Sequence, residues 1–390
     1  MLSDRAIDPL PDDADRAVLV GRVWAPAVEG PCVVGIRAGE VFDMTEAAPT
    51  VRDLCEADDP AGLARSAEGR SLGALSDILA NTPRQNRDAS KPWLLAPVDL
   101  QAVKAAGVTF VVSMLERVIE EQARGVPERA VEIRSEIQAT IGEDLRRLKP
   151  GSEQAGALKK LLIERGMWSQ YLEVGIGPDA EIFTKSQPMS AVGHLAEAGL
   201  NPVSSWNNPE PEVVLAVSSA GRIVGATLGN DVNLRDVEGR SALLLGKAKD
   251  NNASATIGPF VRLFDQEFGL DEVRRAEVRL IVEGTDGFRL EGVSVMSQIS
   301  RDPEDLVRQT IGKNHQDPDG FVLYLGTMFA PTEDRGEKGQ GFTHHLGDVV
   351  TVESPLLGRL TNIMVHSTEA EPWTFGAGAL MRNLAKRGLL

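Results

Sequence analysis

Apolar residues recur along this chain with a period that changes from region to region. Between Gly21 and Val51 they come in short runs, Gly-Arg-Val-Trp24, Cys32-Val-Val-Gly-Ile36 and Glu40-Val-Phe42, divided by Pro26, Pro31 and Gly39. Runs of that length between turn formers predict strands, here a small β-rich module behind an acidic, proline-bearing lead-in. Residues 60–90 mix small residues with Arg and Asn and predict one short helix and a loop. Across 101–165 the period lengthens. Ile133, Ile137, Ile141, Leu145 and Leu148 fall three or four apart with Arg and Glu between them, the spacing of a single helix face. Pro127 suits a first helical turn, Pro150-Gly151 stops the helix, and another short one is predicted over Glu153 to Arg165. From Tyr171 onward the pattern is β. Val213 to Val217, Arg222 to Leu228, Val278 to Glu283, Phe288 to Ser294, Phe321 to Leu325 and Val349 to Glu353 are apolar or alternating runs bounded by turn residues. Helical patterns do not alternate with these strands, so a βαβ sheet is not expected. The fold class predicted is mixed α/β, dominated by β, in three regions: an N-terminal β-rich domain (1–100), a helical insertion (101–170) and a catalytic domain (171–390).

Composition narrows the function. The 390 residues carry 41 Lys and Arg against 57 Asp and Glu, a net charge of −16, which repels a polyanion and disfavours nucleic acid as a partner. Two cysteines, Cys32 and Cys55, are too few for a disulfide framework or a four-cysteine zinc site. No apolar stretch is long enough to span a bilayer, and Met-Leu-Ser-Asp-Arg at the start is unlike a secretory signal. A cytoplasmic protein with no membrane partner is expected. Neither a P-loop nor a dinucleotide glycine motif occurs, so no nucleotide cofactor is expected.

The densest chemistry lies between Ser204 and Asp250. Asn207-Asn-Pro-Glu210-Pro-Glu212 leads into Val213 to Val217; the turn Ser218-Ser-Ala-Gly221 follows, then Arg222 to Leu228 and Gly229-Asn-Asp231. Two strands around such a turn make a hairpin in which Glu212 faces about Thr227 and Asp231 lies just past the position opposite Glu210. Strand side chains alternate, so Glu210 and Glu212 share one side, and three carboxylates converge at the open end. Convergent like charges need a compensating cation, and all-oxygen donors without His or Cys suit Mg²⁺, Mn²⁺ or Ca²⁺. Solvated acids flanking prolines would give the same spacing. Beyond lie Arg235, Asp236 and Glu238, then Lys247 and Lys249. A lysine next to a metal has its charged form disfavoured and can serve as a general base, although two surface lysines read equally well. His344 and His345 are adjacent and point apart on a strand, so no metal role is assigned to them.

Pro-Glu210-Pro-Glu212, Gly229-Asn-Asp231-Val, Arg235-Asp-Val-Glu238-Gly and Lys249, in this order, resemble the fumarylacetoacetate hydrolase family. The resemblance runs from about Ala180 to Thr351 and takes in Ala180-Glu-Ile-Phe-Thr-Lys185, Ile257-Gly-Pro259 and Leu325-Gly-Thr327. It implies the family's β-roll, assembled as a homodimer or homotetramer. It also implies Mg²⁺, replaceable by Mn²⁺, held by Glu210, Glu212 and Asp231, with Lys249 as the family lysine and Thr327 as a substrate contact. Hydrolase and decarboxylase members carry an aromatic, a His and a Glu three residues apart in a lid. The matching segment here is Phe110-Val-Val-Ser113-Met-Leu-Glu116, with serine where the water-activating histidine would stand. Together with Trp168 to Gly177, Ser205-Trp-Asn-Asn-Pro and Pro372-Trp-Thr-Phe-Gly, this resembles the family's 2-keto-3-deoxy-pentonate dehydratases. The implied reaction is Mg²⁺-dependent loss of water from a small 2-keto-3-deoxy sugar acid to give 2,5-dioxopentanoate. Lys249 would be the enolisation base and Glu116 the acid for the leaving hydroxyl, or the reverse. Ser113 would hold a substrate hydroxyl or cap a helix, and Arg235 would contact substrate or pair with Glu238. An acylpyruvate hydrolase or oxaloacetate decarboxylase of the same family is the nearest alternative. A non-catalytic sugar-acid-binding protein is the alternative of another class.

Overall fold

A computed structural model of the chain describes residues 7–111, 114–115, 118–119, 127–141, 148–328, 333–335 and 341–390. Ser113 and Glu116 lie outside the described residues, as does Leu145 of the helical stripe. In chain order the strands are β1 (Leu19–Ala25), β2 (Gly30–Arg37), β3 (Glu40–Asp43), β4 (Arg70–Ala74), β5 (Trp93–Leu95), β6 (Ala102–Gly107), β7 (Glu181–Ser186) and β8 (Glu197–Leu200). They continue as β9 (Pro211–Val217), β10 (Ile223–Asp231), β11 (Ala255–Leu263), β12 (Glu277–Glu283), β13 (Arg289–Val295), β14 (Phe321–Tyr324), β15 (Val349–Ser354) and β16 (Gly358–His366).

Two sheets form. The larger runs β4-β3-β2-β1-β11-β10-β9-β14-β6-β7 with β5 also on β1; the smaller runs β13-β12-β15-β16-β8. β9 sits in the middle and is buried on both faces. Val213, Leu215 and Val217 pack with Leu228 against Val278, Leu280, Val350 and Val352 of the smaller sheet. Val214 and Ala216 pack on the other face with Val51, Leu54 and Ala61 from the short helices Val51–Glu56 and Pro60–Ser66. This double burial is why the sequence shows an unbroken apolar run there. Burying one Val or Leu side chain contributes about 1.5–3 kcal/mol, so Val213, Val214, Leu215 and Val217 anchor a strand whose other end carries carboxylates.

The strands predicted after Tyr171 are present to within a few residues, and the helices Pro127–Ile141 and Glu153–Glu164 follow the predicted starts. Ile137 and Leu148 of the predicted stripe are buried. Other expectations are corrected. Residues 60–90 hold two helices and β4 rather than one helix, and β6 is a strand inside the region read as helical. β6 pairs in parallel with β14, a long-range partner that local periodicity does not reveal. The β-only reading after Tyr171 also missed the helices Pro303–Thr310 and Ala377–Lys386. The first carries a start signal, Asp302 accepting from the Glu304 amide with Pro303 in the first turn. No described helix is long and apolar enough to cross a membrane.

His194 belongs to the frame and not to the site. Its Nδ1 accepts from the Thr361 amide at 3.0 Å and its Nε2 lies 3.0 Å from the Ile7 carbonyl, which fixes the neutral tautomer. Burial lowers its pKa from 6.5 to about 4. The unfolded chain therefore takes up a proton near pH 6.5 that the folded chain refuses until about pH 4. Stability conferred by this group is whole above pH 6.5, falls as pH drops and levels off below about 4, a loss on the order of 3 kcal/mol. Urea unfolding at pH 7.5 and 5, which crosses only the upper part of that window, should show a drop smaller by about 2 kcal/mol in His194→Gln; equal drops in both proteins would refute it.

Candidate metal centre and active site

The β9–β10 hairpin delivers the carboxylates, in a register that differs from the expected one. A bulge between Ile223 and Gly225 shifts the pairing, so Glu212 faces Gly229 and not Thr227. Asp231 now lies directly opposite Glu210, its amide donating to the Glu210 carbonyl at 3.0 Å. The extra residue of a bulge is invisible to turn-centred counting. Gly229 is required here, since a Cβ on it would stand 2.3 Å from Cε1 of Tyr324.

Glu210, Glu212 and Asp231 each offer an oxygen within 4.8 Å of the others, with Glu212 and Asp231 buried and Glu210 partly so. Each carboxylate is oriented by a neighbour. Glu212 Oε2 accepts from the Gly326 amide at 2.6 Å, presented by a backbone with φ of +85° that suits glycine. Glu210 Oε1 accepts from Asn233 Nδ2 at 3.1 Å, and the same amide group donates to Glu238 at 2.6 Å. Lys249 Nζ reaches Glu210 Oε2 at 2.5 Å and Asp231 Oδ2 at 2.9 Å. Lys185 Nζ stands 2.7 Å from Asp231 Oδ1.

Electrostatics sort the three acids. Burial, then Asp231 and Glu210, push Glu212 well above the ordinary carboxylate range. Burial raises Glu210 to about 7 despite Lys249. Asp231 is held low, because its two lysines outweigh its burial. Lys185 and Lys249 thus hold Asp231 charged, and although Lys249 also touches Glu210, burial leaves Glu210 and Glu212 a pair of crowded, desolvated acids. Such a donor set fits a hard divalent ion, which would relieve that crowding. Among the described residues no other cluster of three has ligand spacing.

Beside a bound ion Lys249 is expected to have its ammonium depressed. Burial alone would do so, but Asp231, Glu210 and Glu238 together hold the ammonium well above 10.5. Among protein groups alone it is a cation poised to donate. Lys247 has no place in the cluster, whereas Lys249 is buried at the end of the helix Leu245–Lys249. Thr327 follows the glycine whose amide holds Glu212, so it borders the triad and is half-buried. Arg235 opens the short helix Arg235–Glu238 and stacks over the Trp206 ring at 5.3 Å. Ser113 and Glu116 fall outside the described residues, so the lid contributes no geometry. His344 is buried against Asp348 at 3.2 Å and His345 is exposed; neither joins the cluster.

Sequence reasoning gave no role to Lys185, Asn233 or Glu181, whose carboxyl is raised by burial and by Glu238. A signal for Lys185 existed. Strand alternation puts it on the face of Phe183, which packs against buried core.

No family model matches the chain. Two relatives do. The 2-dehydro-3-deoxy-D-arabinonate dehydratase of Saccharolobus solfataricus is 30% identical over 183 residues, which is 46% of this chain and 57% of that relative. A probable 2-keto-3-deoxyxylonate dehydratase of Haloferax volcanii is 25% identical over 328 residues, 84% of this chain and 92% of the relative. Among solved structures, 2-keto-3-deoxy-D-arabinonate dehydratase complexed with magnesium and 2,5-dioxopentanoate superposes with a TM-score of 0.60 at 18% identity, covering 89% of this chain and 99% of that one. The chain therefore has the fold of the fumarylacetoacetate hydrolase family and is homologous to 2-dehydro-3-deoxy-D-arabinonate dehydratase.

Proposed function

We propose that this protein dehydrates a 2-keto-3-deoxypentonate to 2,5-dioxopentanoate with the help of a divalent ion, Mg²⁺ or in its place Mn²⁺. The observation that carries the reading is the buried Glu210–Glu212–Asp231 triad with Lys249 against it. Its support is homology to two dehydratases of this substrate class. Once bound by the triad, the ion would polarise the C2 carbonyl of a 2-keto acid and so acidify the C3 protons.

The residues would then divide the work. Lys249 as the free amine takes the proton from C3, and the ammonium so formed faces the negative charge left on the substrate. Glu116 gives a proton to the C4 hydroxyl, which departs as water, and the remaining C5 alcohol tautomerises to the aldehyde. Ser113, Arg235 and Thr327 hold the substrate. The small sugar acid is the partner, and a homodimer or homotetramer the assembly. The regions 1–100, 101–170 and 171–390 are our proposed division of the chain.

Incubating the purified protein with Mg²⁺ and each C4 epimer of 2-keto-3-deoxypentonate tests this. An aldehyde product, trapped as its hydrazone, is expected from one epimer. Cleavage of an acylpyruvate or decarboxylation of oxaloacetate in its place would move the protein to the hydrolase or decarboxylase branch. Turnover of none would leave a binding protein.

A further inference from the structure

Lys249 moves the proton in the reading above, yet little of its own element holds it. It ends the five-residue helix Leu245–Lys249, and one turn of helix is not stable by itself. Its support comes from Lys185 on β7, 64 residues away, a wholly buried side chain to which the mechanism gives no work. Lys185 Nζ donates to the Lys249 carbonyl, to the Val232 carbonyl at 3.0 Å and to Ser254 Oγ at 3.3 Å. An ammonium has three protons, and these three contacts use them. Asp231, whose Oδ1 stands 2.7 Å away, supplies the counter-charge that a buried cation requires. Val232 directly follows Asp231. One buried group thus ties the main chain beside a ligand acid to the main chain of the proton carrier. Ser254 closes the arrangement: its Oγ lies 2.7 Å from the same Lys249 carbonyl, and its own carbonyl accepts from the Val232 amide at 3.2 Å.

We propose that Lys185 is a positioning residue for Lys249, pinning the main chain of the proton carrier to the end of β10 and so setting where its amine stands against the acids. The inference rests on Lys249 being the group that moves the proton. Proton transfer depends steeply on placement, and a misplacement of about 1 Å caused by a distant change can cost about a hundredfold in rate. Methionine at position 185 would fill the same space without a donor, leaving the Lys249 carbonyl without its ammonium partner and the single turn free to shift. The acids on β9 and β10 would keep their own partners from Gly326 and Asn233.

Kinetics of the Mg²⁺-loaded protein and amide exchange of the metal-free protein test this together. Lys185→Met should lower kcat by about tenfold or more while KM moves by less than about threefold. Added to Lys249→Met it should lower kcat no further, because a residue that acts through another has nothing left to act on. Amides of residues 245–254 should exchange about tenfold faster in Lys185→Met, with those of β12 at the wild-type rate. Lys185→Gln, which keeps a donor, should fall between. A lysine that merely supports the fold would lower stability and leave kcat per folded molecule alone, and that result overturns the proposal. So does an equal loss of kcat with and without Lys249, or unchanged exchange over 245–254. If Lys185→Met does not fold, Ser254→Ala, which removes one acceptor and its bridge to Lys249, carries the same comparisons with an effect of about two- to threefold. A wild type that turns over no 2-keto acid, or a Lys249→Met variant with full kcat, removes Lys249 from the chemistry and this inference with it; turnover without the coupling removes the inference alone.

Discussion

Glu212→Gln should abolish metal-dependent turnover, cutting kcat by roughly a thousandfold or more, because the ion supplies several kcal/mol of charge stabilisation at the carbonyl. The fold should survive. Glutamine keeps the acceptor for the Gly326 amide and removes the most strained of three crowded charges, Glu212 being pushed furthest from its ordinary range by burial and by its acidic neighbours. Stability in chelator should therefore rise, on the order of 1 kcal/mol. Urea melts with and without chelator, beside a calorimetric Mg²⁺ titration, read both effects. A variant that still binds Mg²⁺ tightly and turns over would remove Glu212 from the ligand set.

Lys249→Met should divide activity from metal binding. Losing a group that moves a proton at the reacting carbon costs about 10²–10⁴ in kcat. The ammonium that contacts Glu210 and Asp231 would no longer compete with an ion for those oxygens, so Mg²⁺ affinity should rise while turnover collapses. Methionine retains most of the buried stem and its place near the Phe183 ring. Falling affinity with kcat preserved would make Lys249 a structural counter-charge and no part of the chemistry. The opposite signs expected for these two variants separate a ligand from a proton carrier in one pair of titrations.

Much of this site was legible in the sequence because it sits on one local element. The carboxylates come from a single hairpin, and alternation alone placed Glu210 and Glu212 on one side. The bulge at Ile223–Gly225 altered which residues face one another but not the convergence, since it brings Asp231 level with Glu210. What stayed hidden comes from far away in the chain. The Gly326 amide that orients Glu212 arrives 114 residues later, and Lys185 reaches Asp231 from β7, at the far end of the larger sheet's order. Those contacts depend on strand order, which periodicity does not encode. The charge state of Lys249 was hidden for the same reason, because it depends on how many acids surround the group. Within the fold, strands with long apolar runs were recognisable, whereas β6 was masked by its helical surroundings and by a parallel partner distant in sequence.

The strand order has a consequence for dissection of this chain. β1 hydrogen-bonds to β11, and β11 in turn pairs with β10, which bears Asp231. The first strands are thus not an appendage but the next rungs of the ladder that holds the ligand strand. A fragment beginning near residue 100 would expose the naked flank of β11, flat and apolar, to whatever extended backbone it met. Such a fragment should self-associate into insoluble material rather than yield a smaller working enzyme.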